Sequence, residues 1–284
     1  MAADPAAQDP SAGPRELPDL SSEITLGAEQ IEGYRRDGFI AIHGVARPEE
    51  ILPFQPLVEA QWSLHKLDRR PMHERDTYGR AFTQALNLGN HDPRILRLSR
   101  ARRFAKLAAD LMGADAVRVF LDEAFFKEPG GGTTPWHQDQ TTFPFHAERA
   151  LTMWIPLMEV TEELGLLRFA RGSHHEGQIG PDDISDDSDR VLGRIVGERA
   201  FHVHESERLA PGDVSAHDGW TIHSATRNQT GVCRQVYSIH YFTDGARVFE
   251  PDNPSRRRIL DYFAPELRAG DLAAGPAWPR VWSR

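Results

Sequence analysis

PWHQDQTTFPF, residues 135–145, sets His137 and Asp139 two positions apart. On an extended strand, alternate side chains share one face. An imidazole and a carboxylate at that spacing can grip one ion, and a neutral nitrogen with a hard oxygen suits a divalent first-row metal. A second, similar triplet, His146-Ala147-Glu148, begins nine residues after His137. Its polar flanks read as a loop, so it ranks below the first.

Outward from this stretch, the chain after residue 115 is built of short apolar runs separated by Gly and Pro. Strands are expected over 116–127, 150–159, 165–170, 199–204, 212–217, 220–226 and 233–243. Regularly spaced short strands predict a sandwich or barrel rather than a parallel α/β sheet. Upstream, residues 27–38 read as a short helix, with Ile31 and Tyr34 three apart and Gly38 as its stop. FIAIHGV (39–45) reads as a strand. Residues 47–67 read as an amphipathic helix interrupted by Pro53 and Pro56, and 94–112 as the strongest helix, ended by Gly113. Residues 1–22, rich in Ala, Pro, Asp and Ser, predict a disordered tail, and 23–284 a single domain. The acidic stretch 176–198 predicts a solvated surface loop, or functionally a mobile lid inserted between strands.

Composition narrows the function. Lys plus Arg number 33 against 42 for Asp plus Glu, a net charge of −9. A general binder of nucleic acid or anionic membrane needs a positive field, so neither is expected as a partner. No apolar run approaches the ~18 residues of a membrane span, and the N-terminus lacks the pattern of a secretory signal. The single cysteine, Cys233, excludes an intrachain disulfide framework and any CxxC site. The default expectation is a cytoplasmic protein, monomer or homodimer, acting on a small molecule. Beside Arg234, Cys233 should face the opposite side of its strand as a small apolar residue.

An iron oxygenase site needs a third ligand, and the downstream histidines are His174, His175, His202, His204, His217, His223 and His240. If the cosubstrate is a dicarboxylate, its far carboxylate needs a buried arginine fork. Of His217, His223 and His240, only His223 has an arginine eleven residues on, Arg234. The histidines at 174, 175, 202 and 204 read as solvated, and His240 as packed or hydrogen-bonded within its strand.

Taken together, WHQDQTTFPF (136–145), GLLRFARGSHHEG (165–177), PGDVSAHDGWTIHSA (211–225) and RNQTGVCRQVYSIHYF (227–242) resemble, in order, the segments of one family. The chain is similar to the phytanoyl-CoA dioxygenase family of Fe(II)/2-oxoglutarate-dependent oxygenases, over roughly residues 28–243. The resemblance implies a mostly β fold with packed helices, a double-stranded β-helix (jelly roll, cupin-like). It implies a metal triad of His137, Asp139 and His223, with Arg234 binding the far carboxylate of 2-oxoglutarate and O2 as the oxidant. Trp154 matches a family aromatic that would wall the cosubstrate pocket, or else packs as a core residue. Related halogenases replace the triad carboxylate, so Asp139 implies C–H oxidation instead: hydroxylation, or cyclisation, epimerisation or desaturation by the same radical route.

One departure is Ala225, where the family often has a small hydroxyl residue; Ser224 or Thr226 could substitute. The Ala/Arg/Asp/Gly-rich composition resembles GC-rich bacterial proteins and points to a secondary metabolite as substrate. Gln84, Thr141, Thr142, Phe143 and Phe145 are candidate pocket wall. The alternatives are an acyl-CoA hydroxylase of the same family, for which Arg100, Arg102 and Arg103 could form a basic cluster, and a cupin-type metal-dependent isomerase or epimerase that does not use O2.

Overall fold

The computed structural model describes residues 16–284. Its strands are β1 (Phe39–Ile42), β2 (Thr83–Leu86), β3 (Ala116–Lys127), β4 (Thr134–His137), β5 (Phe145–His146), β6 (Ala150–Pro156), β7 (Leu167–Ala170), β8 (Val203–Glu205), β9 (Val214–Asp218), β10 (His223–Ala225), β11 (Arg234–Thr243), β12 (Arg247–Val248) and β13 (Arg280–Ser283). A seven-stranded sheet runs β1-β9-β6-β11-β3-β13, with β2 also paired to β3; a four-stranded sheet runs β4-β10-β7-β8. Pairing in both is antiparallel. This is the double-stranded β-helix expected from the sequence.

Strand alternation divides the large sheet into two faces. On β11, Tyr237, Ile239 and Tyr241 face outward into a core shared with Phe104, Leu107 and Leu111 of the helix Arg102–Met112. Val236 faces inward, joining Trp154 on β6 and Leu167, Phe169 and Ala225 of the small sheet. Helices thus cover one face of the large sheet, and the small sheet covers the other. On β3 a bulge resets the alternation. The β11 register steps from His240↔Leu121 to Tyr241↔Val119, leaving Phe120 unpaired. Val117 and Val119 face the helices before it, and Ala124 and Phe126 after it. A single extra residue therefore turns Glu123, Phe125 and Lys127 toward the barrel interior.

Several expectations are corrected. The helix over 94–112 is two helices, Leu96–Ser99 and Arg102–Met112, separated at Arg100–Ala101. Residues 47–67 divide at their prolines into Pro48–Ile51, a 3-10 turn Leu52–Phe54 and Gln55–His65. The tail boundary at residue 22 is too far along. Residues 1–15 lie outside the described residues, but Leu20 is buried and its carbonyl accepts from the Arg103 amide at 3.1 Å. Of the expected basic cluster, Arg103 is itself buried and bonded to Glu50 and Arg102 pairs with Glu23, while Arg100 is exposed. Trp278 is fully buried, and Trp282 packs inward with its Nε1–H on Glu23.

The largest correction is at 176–198, which is not a loop throughout. Residues Asp186–Glu198 form a helix. Its acidic residues Asp186, Asp187 and Asp189 crowd the first turn, where unpaired amides favour negative charge. Leu192 and Val196 bury its other face against Ala170 and Ile222. The helix packs on β4, where the Trp136 amide donates to Asp189 Oδ1 at 2.9 Å. Ser185 caps it, its Oγ accepting from the Ser188 amide at 3.2 Å. Ser185→Ala is expected to cost about 1 kcal/mol of helix stability. Hydrogen exchange would read this as faster exchange confined to residues 186–198, with β11 amides unchanged.

Candidate metal centre

The triad is assembled by strand pairing in the small sheet. His137 ends β4, His223 begins β10, and the two are direct cross-strand partners. Asp139 follows β4 at the start of a 3-10 turn, Asp139–Thr142. The His137 and His223 Nε2 atoms lie 3.4 and 3.5 Å from Asp139 Oδ1. The three ligand atoms all fall within 4.8 Å of one another. Ligands about 2.1 Å from a first-row ion at right angles would sit about 3 Å apart, so a small contraction closes this set on a metal.

Hydrogen bonds settle which nitrogens are free. His137 Nδ1 donates to the Pro135 carbonyl at 2.8 Å, and His223 Nδ1 to the Thr221 carbonyl at 3.0 Å. A carbonyl only accepts, so each ring carries a proton on Nδ1, leaving Nε2 as the atom that would ligate a metal. Burial, with His137 and His217 alongside, drives the His223 pKa well below its ordinary value, keeping it neutral. Burial alone would raise the Asp139 pKa, but the imidazoles of His223, His137 and His217 hold it well below the usual carboxylate range. Two neutral nitrogens and one ionised oxygen on one side of an ion leave its other positions open, a fit for iron(II).

Behind the triad lies a chain of hydrogen bonds absent from the sequence analysis. Asp139 Oδ2 accepts from Thr152 Oγ1 at 2.6 Å and from His217 Nε2 at 3.0 Å. Because the Thr152 hydroxyl hydrogen goes to Asp139, its oxygen accepts from His240 Nδ1 at 3.0 Å. His240 Nε2 in turn bonds buried Glu123, which raises the His240 pKa against the effect of burial. His217, considered above as a third ligand, is a partner of Asp139 instead. His240, expected only to pack in its strand, is the second link behind it. Neither role follows a spacing rule, because each partner comes from a different strand.

A cavity beside the triad is walled by Thr134, Trp154, Leu167, Ala225 and Arg234. Arg234 is 2% exposed, and its Nη1 donates to the Gly165 carbonyl at 2.6 Å. Its Nε has no partner among the described residues, and its guanidinium lies 5.2 Å from the Trp154 ring centroid. Burial lowers its pKa to about 10, which still leaves it charged. Trp154 is both core residue and cavity wall.

Of the substitutes expected for the missing hydroxyl at 225, Ser224 lines the cavity while its Oγ accepts from Arg168 Nε at 3.1 Å, and Thr226 Oγ1 faces the Leu166 carbonyl. Of the other pocket candidates, Gln84 bonds Tyr78, while Thr141 and Thr142 donate to backbone carbonyls. Phe143 and Phe145 line a second cavity of about 230 Å³, with Gln140, Trp220, Phe249 and Arg256. His146 is exposed on β5, away from the triad. Two expected surface histidines are engaged: His174 bonds the Arg35 carbonyl at 3.0 Å, and His204 stacks on Phe39. Cys233 packs toward the helix-covered core, opposite Arg234, as expected.

A family model described as phytanoyl-CoA dioxygenase matches residues 34–236. The chain belongs to the phytanoyl-CoA dioxygenase family. Among curated relatives, the phytanoyl-CoA dioxygenase domain-containing protein 1 of Danio rerio is 28% identical over 181 residues, covering 60% of this chain and 62% of that protein. The ectoine dioxygenase of Bordetella parapertussis is 30% identical over 159 residues, covering 53% and 50%. The chain thus spans less than two-thirds of the length of these relatives. Among solved structures, SnoN, a non-heme alpha ketoglutarate dependent epimerase from nogalamycin biosynthesis, superposes with a TM-score of 0.75 at 25% identity, covering 89% of this chain and 97% of that one. The carbocyclase SnoK, at 23% identity and a TM-score of 0.74 over 90% and 97%, shares the fold.

Thr152→Val removes one of the two donors on Asp139 Oδ2 and cuts the link to His240. Loss of such an outer partner is expected to weaken metal affinity by about 10–100-fold. Anaerobic Fe(II) titration would measure this, with the melting temperature as a check that the fold is kept.

Proposed function

We propose that the protein is a non-haem Fe(II)/2-oxoglutarate-dependent oxygenase that oxidises a C–H bond of a small organic molecule. The observation that carries this reading is the pairing of an intact His137–Asp139–His223 set with a cavity lined by a buried arginine that has no carboxylate partner among the described residues. In this reading iron(II) and 2-oxoglutarate supply the oxidising power from O2 once bound. The chain supplies the positions. His137 and His223 offer their Nε2 lone pairs, and Asp139 offers its Oδ1 charge. Arg234 receives the far carboxylate of 2-oxoglutarate in its planar fork, and Trp154 closes the wall beside it. His137, His223 and Arg234 are buried and Asp139 is only slightly exposed, which limits water at the reacting centre. With Asp139 occupying the carboxylate position, C–H oxidation rather than halogenation is the expected outcome.

The organic substrate is placed in the aromatic cavity next to the Asp139–Thr142 turn. There Phe143 and Phe145 offer ring faces, and Gln140 Oε1 and Arg256 Nε are buried without partners. Solved neighbours that work in nogalamycin biosynthesis support a secondary metabolite as the substrate class. Among the described residues no helix is long and apolar enough to cross a membrane. The proposed setting is the cytoplasm, with the protein acting as a monomer or homodimer and without nucleic acid.

The deciding experiment is an anaerobic titration with Fe(II) and then 2-oxoglutarate, following the visible metal-to-ligand charge-transfer band. A saturable band, lost in His137→Ala, is the expected result; no band in folded, iron-loaded protein would overturn the reading. Arg234→Lys keeps the charge but loses the fork. Losing one charge-assisted hydrogen bond of about 1.5–3 kcal/mol predicts at least ~10-fold weaker 2-oxoglutarate binding, with Fe(II) affinity unchanged.

A further inference from the structure

The aromatic cavity beside the Asp139–Thr142 turn carries polar atoms that nothing among the described residues satisfies. Its volume is about 230 Å³, and its walls include Phe143, Phe145, Trp220 and Phe249. That is below the ~300–1,000 Å³ of sites that enclose a drug-sized ligand, so it fits one or two fused rings, or one end of a larger molecule. One wall is built by residues beyond 236, where the family match ends. β12 pairs with β5, setting Val248 opposite Phe145 and Arg247 opposite His146. Phe249 follows β12. Its amide donates to the Pro144 carbonyl at 3.2 Å, and its ring centroid lies 4.5 Å from that of His146. The helix Pro254–Phe263 then packs on the turn that carries Asp139 and Gln140. Asn253 caps this helix, its side chain accepting from the Arg256 amide at 2.8 Å.

Arg256 is the group that this wall brings to the cavity. It is 6% exposed. Its Nη1 donates to Asp252 Oδ1 at 2.7 Å and its Nη2 to Gln178 Oε1 at 3.2 Å, and its guanidinium lies 5.2 Å from the Phe249 ring centroid. These three contacts hold the planar group in place. Its Nε is buried and has no partner among the described residues, and Gln140 Oε1, on the same cavity, is in the same state. A buried polar group without a partner is costly unless a ligand takes it up. Charge decides what kind of ligand. Asp252 also lines the cavity, and its hydrogen bond from Arg256 holds its carboxyl below the usual carboxylate range. An anionic ligand would meet attraction from Arg256 and repulsion from Asp252 together. A neutral acceptor oxygen satisfies Nε without disturbing that pair, and the ring faces around it suit an aromatic body.

We propose that this cavity recognises an uncharged aromatic carbonyl compound. Arg256 Nε donates to the carbonyl oxygen, and Phe143, Phe145 and Phe249 pack on the ring. The inference rests on the placement of the organic substrate in this cavity. It makes Arg256 a determinant of substrate specificity, supplied from outside the family-matched residues and apart from the metal ligands.

The test measures binding of three ring probes by calorimetry, under anaerobic conditions, to the protein loaded with Fe(II) and 2-oxoglutarate. The probes are 1-tetralone, tetralin (the same two rings without the oxygen) and 1-naphthoate, a ring carboxylate. The wild type is expected to bind 1-tetralone about tenfold or more tighter than tetralin, as befits a hydrogen bond from a charged donor, and 1-naphthoate no tighter than 1-tetralone. In Arg256→Lys a methylene stands where Nε was, while a cation remains beside Asp252. This variant is expected to bring 1-tetralone to the affinity of tetralin and to leave tetralin unchanged. A merely structural role for Arg256 would weaken both probes together and keep their ratio at the wild-type value, which overturns the inference. Tighter binding of 1-naphthoate than of 1-tetralone overturns it as well. If Arg256→Lys does not fold, the wild-type ranking of the three probes decides. A charge-transfer band with no preference among the probes overturns this inference and leaves the iron and 2-oxoglutarate reading standing. Absence of the band, with the 1-tetralone preference present, overturns that reading and leaves the recognition by Arg256. No binding of any ring overturns both this inference and the placement of the substrate.

Discussion

The carboxylate of Asp139 is buried where the small sheet meets the large one, and much of the site follows from keeping it ionised there. Its Oδ1 faces the Nε2 atoms of His137 and His223, and its Oδ2 takes hydrogen bonds from Thr152 and His217. An isolated buried carboxylate would take up a proton instead. Five strands supply this environment. β4 and β10 bring the two ligand imidazoles, β6 brings Thr152, β9 brings His217 and β11 brings His240. Because each contributes one residue, a shift of one position in any register would turn a partner to the opposite face.

The double-stranded β-helix suits this demand because its two sheets divide the labour. The large sheet presses its outward residues on helices, and that core, with Phe104, Tyr237 and Tyr241, carries no chemistry. Its inward face is then free to hold polar groups: Glu123, His240, Lys127 and Arg234. Burying so many of them is tolerable only where each is paired or awaits a ligand. Glu123 and His240 are paired with each other. Among the described residues, Lys127 and Arg234 have backbone carbonyls and a hydroxyl as partners, but no acid. The asymmetry places positive potential at the end of the cavity opposite the carboxylate.

Much of this was legible in the residues. The pair His137 and Asp139 declared itself by its spacing, and His223 by its distance from Arg234. Most strands from 116 to 243 were visible as apolar runs between turn residues, but β4 and β5 were not among them. Other features were not. The acidic run at 186–189 reads as a solvated loop until its position in the first turn of a helix is seen, since charge density hides the Leu192–Val196 stripe behind it. The strand Arg280–Ser283 is too short and too charged to stand out, and exists because β3 offers it an edge. Leu20 sits in a polar stretch that composition reads as tail, yet it finds a place in the core.

By itself the sequence determined the fold class and ruled out an intrachain disulfide, and it pointed to the candidate ligands and the arginine, because these depend on residue type and on spacing along a strand or between two motifs. Only the tertiary structure decided that Thr152, His217 and His240 stand in a hydrogen-bonded chain behind Asp139, and that Lys127 lies beside Arg234. Those roles depend on which strands lie side by side and on a single-residue bulge at Phe120, and register across a sheet is set by packing at long range. A one-residue change in pairing inverts which side chains face the iron, and no local pattern in the chain records it.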